Sequence, residues 1–144
     1  MYKIRKFIRN FKLWFEIIKT DEQWDYVFLE KVILHKLKLM KDFYDSGKNY
    51  TVADDTVKEL NITINALERL LKSDYIRFPK GKRPKMEIID NDSNGLFSEM
   101  KTIYHEDFGE DKVDEVYRKA EEDEMKDREL VYKMLKEKSP NWWD

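Results

Sequence analysis

Five cations and two rings stand close together in the middle of this chain. Arg77, Lys80, Lys82, Arg83 and Lys85 supply phosphate-pairing charge, and Tyr75 and Phe78 beside them supply faces that can stack on a base. That set suits capture of a charged nucleotide or of single-stranded nucleic acid. No glycine-rich phosphate loop supports it, because Gly81 stands alone. The plainer reading is a solvated basic turn that offsets acidic residues elsewhere.

Other chemistry is scarce. The run Asp90, Asn91, Asp92, Ser93, Asn94, Gly95 opens like a calcium loop, but the twelfth position is the cation Lys101 where a bidentate Glu is needed. An ordinary Asn/Gly turn is the better reading. His35 and His105 are the only histidines, and neither has a metal-ligand partner at helical spacing. The carboxylates Glu121, Glu122, Asp123, Glu124 and Asp127 lack facing ligands, so they read as a solvated face. The chain has no cysteine, which removes disulfides, thiolate zinc sites and thiol nucleophiles. No catalytic residue, metal site or cofactor is expected, and the protein reads as a non-enzyme.

The elements that must carry these residues are mostly helical. In 144 residues, 40% are charged and 41% hydrophobic, with four glycines and three prolines. Such a composition fits one charged helical domain with a real core. Residues 1–19 predict an amphipathic helix with Ile4, Phe7, Phe11, Phe15 and Ile18 on one stripe, widened by Ile8 and Trp14. That stripe is expected to cover the neighbouring helices or meet another subunit. A membrane-surface role comes last, because the rest of the chain shows no membrane habit.

Residues 22–45 predict a central helix, apolar on two faces, with Asp21 as its N-cap and Ser46 to Asn49 as its stop. Residues 54–74 predict a third helix with Val57, Leu60, Ile64, Leu67 and Leu71 as its seam. The short link makes 22–74 an antiparallel hairpin. Residues 75–109 read as a basic and polar loop with a short β-hairpin across 90–95. A long fourth helix over 110–138 follows, and its charged middle is laced by Glu122–Lys126 and Glu124–Arg128 pairs. The expected fold class is all-α: a helical bundle built on a long helix hairpin, with an irregular loop or small β-hairpin between helices three and four.

The chain ends in Trp142, Trp143 and Asp144, and two tryptophans at an end normally prone to fraying imply docking on the core or on a partner. With Phe7, Phe11 and Phe15 they form the candidate interface, and a homo-oligomer is expected. The net charge of −2 argues against duplex DNA binding. It conceals a polarity, since residues 1–19 hold six cations and one acid while 99–129 hold thirteen acids and six cations.

Several segments, in order, resemble a group of small tailed-bacteriophage proteins of unknown function. They are Trp24-Asp25-Tyr26, Lys36 through Met40, Leu70 through Tyr75, Asp127 through Leu130 with Lys133 through Leu135, and the Trp142-Trp143-Asp144 end. Residues 80–106 depart from the group. The resemblance implies a phage accessory protein in the host bacterial cytoplasm. Its expected work is antagonism of host defence, by binding a host protein or by sequestering a nucleotide immune signal. The alternative is a structural or assembly adaptor in phage DNA metabolism acting through protein contacts.

Overall fold

A computed structural model describes residues 2–20, 26–46, 53–91 and 98–143. Among them are four α-helices: α1 (Tyr2–Ile18), α2 (Tyr26–Asp45), α3 (Ala53–Lys72) and α4 (Glu110–Glu137). Between α3 and α4 lies one antiparallel pair, β1 (Lys85–Asn91) with β2 (Ser98–Ile103), and a 3-10 helix (Ser139–Trp143) follows α4. The chain is therefore mostly helical, as its composition requires. The Asp21 cap, the residue 47–49 stop and most of the calcium-like turn lie outside the described residues.

The chain divides into two compact units. The first unit comprises Met1–Ser73 with Asp127–Asp144, and its core is centred on α3. Leu60, Thr63, Ile64, Ala66, Leu67 and Leu70 are all buried, whereas α2 buries Glu30, Leu37 and Met40. The sequence placed the spine of the fold on the second helix; it belongs to the third. Ala66 and Thr63 are small enough to let neighbours approach α3 on more than one side, and the Thr63 hydroxyl donates to the Glu59 carbonyl at 2.9 Å. α3 stops at Ser73, whose φ of 49° is the left-handed turn that ends a helix.

Pairings fix the direction of each helix in this unit. Late α2 and early α3 both reach the C-terminal tail, while early α2 and late α3 both reach the middle of α4, so α2 and α3 are antiparallel. Arg128 meets Glu30 and Trp142 meets Tyr44 at the same sequence separation of 98, so the C-terminal part of α4 runs parallel to α2. Arg69 grips Asp127 with two guanidinium bonds of 2.6 and 2.5 Å. Among the described residues no buried side-chain polar atom lacks a partner.

These pairings correct the reading of the charged middle of α4 as a solvated stretch. Asp127 and Arg128 lie on the side of α4 that also carries buried Val131, and both reach across to other helices. The outward residues pair along the helix as Arg118–Glu122 and Asp123–Lys126.

The second unit, Asp74–Lys126, holds the loop, the hairpin and the first part of α4. Gly109 leads into α4, its carbonyl accepting from Val113 N–H at 3.2 Å, and Glu110 and Asp111 in the first turn favour the positive end of the helix.

Candidate functional site

The basic loop turns at Pro79 to Lys82. Lys82 N–H donates to the Pro79 carbonyl at 2.9 Å, and Gly81 holds a φ of 76°, which a side chain would strain. This turn points the two halves of the loop to different tasks. Phe78 is half-buried, edge-on to Phe108 at 6.4 Å and to Tyr117 at 5.8 Å. Lys82 spans both oxygens of Asp107 at 2.6 Å, and this ammonium holds the Asp107 carboxyl below its ordinary range. Lys112 secures the same corner by donating to the Asp107 carbonyl at 2.8 Å.

Phe78 and Lys82, of the seven expected ligand residues, are thus occupied inside the unit, and Tyr75 has a partner as well. Tyr75 is half-buried. Arg77, Lys80, Arg83 and Lys85 are exposed and form no ion pair among the described residues. The loop keeps its free cations, while its Phe ring is spent on packing.

Lys85 opens β1, and the hairpin register sorts the next residues onto two faces. Lys85, Glu87, Lys101 and Ile103 share one face, with Glu87 opposite Lys101. Met86, Ile88, Met100 and Thr102 share the other. Met86 is 74% exposed and Ile88 and Met100 are each 63% exposed. Three apolar side chains on one strand face are thus left open to water, the kind of patch that can serve in recognition. The methionines in particular can re-pack against varied partners. Sequence reasoning located the hairpin but missed this face; alternation around Met86, Ile88 and Met100 was the available signal.

The interface residues divide differently. Trp142 is 1% exposed, the largest fully buried side chain described, and docks on the chain's own α2–α3 hairpin. Its indole N–H donates to Glu59 at 2.9 Å, and its carbonyl accepts from the Tyr44 hydroxyl. The Trp143 side chain lies outside what is described. Phe7, Phe11 and Phe15 are by contrast exposed along α1. The expectation that they cover the α2–α3 hairpin is not met.

Two hydrogen bonds, from Trp142 first and then from Lys138 at 3.0 Å, hold the Glu59 carboxyl below its ordinary range. A carboxyl lowered in the folded state stabilises fully above its unfolded value of about 4.3. That contribution is lost as pH falls through the lower folded value. Acid titration is therefore expected to loosen the tail below pH of about 4, seen as a shift of the Trp142 indole N–H resonance. Glu59→Gln should remove this acid-dependent step. A resonance unmoved down to the global acid transition would refute the assignment.

Both histidines sit in structural positions. His35 is half-buried, edge-on to Trp14 at 5.1 Å, and its Nε2 donates to the Leu13 carbonyl at 2.7 Å, which ties α1 to α2. His105 closes a bridge with Phe108. Among the described residues no group of three acids and histidines stands close enough to hold a metal ion. No described helix is long and apolar enough to cross a membrane.

Set against protein-family models, curated proteins and solved structures, the chain finds no match.

Proposed function

We propose that this chain is a non-catalytic phage accessory protein that antagonises host antiviral defence by binding a host protein through its second unit. The observation that carries this reading is the exposed strand face of Met86, Ile88 and Met100. The free cations Arg77, Lys80, Arg83 and Lys85 adjoin β1 in the chain, so an apolar patch with an acidic rim is the complementary target. A nucleotide trap is less well supported, because Phe78 is engaged by Phe108 and Tyr117 and Lys82 by Asp107. The histidines favour a non-catalytic role, each serving the backbone or packing of its own unit.

The test is native mass spectrometry of the tagged protein recovered from phage-infected, defence-carrying bacteria. A co-purifying host protein is expected. Met86→Ser with Met100→Ser should weaken its capture by about tenfold or more, given the apolar area that two methionines bury. Arg77→Ala with Arg83→Ala should slow association and reduce its salt dependence. A bound mass of a few hundred daltons in place of a protein would instead restore the nucleotide trap. Capture that is indifferent to both pairs would remove the second unit from the assignment.

A further inference from the structure

α1 carries an exposed apolar surface of its own, separate from the strand face proposed to bind a host protein. Ile4, Phe7, Ile8, Phe11, Phe15 and Ile18 fall within about a third of the helix circumference. All six are exposed, Phe7 by 69%. The phenyl rings form a continuous row, with centroids 6.3 Å apart from Phe7 to Phe11 and 5.4 Å apart from Phe11 to Phe15. No residue of α1 is buried. The helix is attached by its flank instead, through Trp14 and the Leu13 carbonyl to His35. The contact with α2 therefore leaves the apolar arc outward.

Charge decides what fits this arc. Arg5, Lys12 and Lys19 border it on one side and Lys3 on the other, with Lys6 and Arg9 on the back of the helix. The sole acid, Glu16, is taken up by Lys19. A second copy of α1 laid on the first would bring cationic margins against each other, which opposes self-pairing. A surface that is apolar below and uniformly anionic above meets the arc and its margins together. Long Lys and Arg stems can rise along a buried apolar face and still place their charge among headgroups. A helix with a bulky aromatic face, a cationic opposite face and low net hydrophobicity is the pattern of interfacial binding.

We infer that α1 lies flat on an anionic phospholipid surface, with the Phe7, Phe11 and Phe15 rings at the acyl boundary and the cations at the phosphates. Its 17 residues extend about 25 Å along the bilayer plane. The contact is peripheral and reversible, since it rests on one helix face.

Flotation of the full chain with vesicles tests this directly. The protein should float with vesicles of phosphatidylglycerol in phosphatidylcholine, and much less with phosphatidylcholine alone or in high salt. Phe7→Ser with Phe11→Ser should lower partitioning by about tenfold or more. The circular dichroism spectrum should persist, because both side chains are already exposed. Arg5→Glu with Lys12→Glu, which reverses charge at the margin of the arc and leaves the rings intact, should abolish anionic selectivity. A chain that stays unbound overturns the inference, and an accompanying dimer or captured protein dissolved by the Phe pair would then name the true occupant. Flotation unaffected by either pair overturns it as well. The second-unit variants at Met86 and Met100 should float normally, so this test and the host-capture test fail independently.

Discussion

Replacing Trp142 with alanine is expected to destabilise the helical unit by about 3–5 kcal/mol, the usual cost of emptying a buried aromatic site. The residue lies in the short 3-10 segment that follows α4, where a side chain need not be buried. It is instead the largest fully buried side chain among those described. Its indole joins the tail to α3 through Glu59, and its carbonyl joins the tail to α2 through Tyr44. Pro140 prepares the approach: lacking an N–H, it cannot extend α4, and the chain tightens into the 3-10 turn. Asn141 N–H returns to the Lys138 carbonyl at 2.9 Å to close that turn.

Urea denaturation followed by far-ultraviolet dichroism measures the effect. Trp142→Phe should cost about 1–2 kcal/mol, because it keeps a ring but surrenders the donor to Glu59. Were Trp142 an anchor for an external partner, alanine would leave the midpoint unchanged and impair binding alone. The two roles therefore separate in one experiment.

That result bears on what the sequence discloses. The third helix was legible, because Val57, Leu60, Ile64, Leu67 and Leu71 repeat at the helical period and Ser73 ends the run. The hairpin was legible too, since the Asn/Gly-rich turn separates two short apolar stretches. The docking of Trp142 was half legible: a tryptophan at an end demands burial, but its partners lie 83 and 98 residues away and leave no local mark. Phe78 shows the same limit in the candidate site. A ring beside cations reads as a stacking platform whether it faces a base or, as here, Phe108 and Tyr117. The apolar arc of α1 was plain, yet period alone cannot say whether a neighbour covers it.

Arg128→Met is expected to cost about 1–3 kcal/mol, the penalty for leaving the buried Glu30 acceptor without its donor, since the Arg128 side chain is itself 33% exposed. Glu30 is only 6% exposed, and the Arg128 guanidinium meets it at 2.6 Å. Removing that cation strands a carboxylate away from water, whereas a solvated Glu on α2 would scarcely notice the loss. The neighbouring Arg69–Asp127 pair sets the contrast. It is bidentate, but the Arg69 side chain is 49% exposed, so Arg69→Ala should cost only about 1 kcal/mol. The pair of values tests whether burial or geometry governs the crossing of α4 over the hairpin.

The decisive variant is the double replacement Glu30→Leu with Arg128→Met. Fitting apolar side chains in place of both charges removes the desolvation cost along with the attraction, so the double variant should recover most of the stability lost by Arg128→Met. Recovery would mean that the pair contributes register more than energy: it selects the alignment of α4 that carries Trp142 to Tyr44 and Glu59. A double variant as unstable as the single one would show that Arg128 supports the unit through its own packing, and the ion pair would then be incidental.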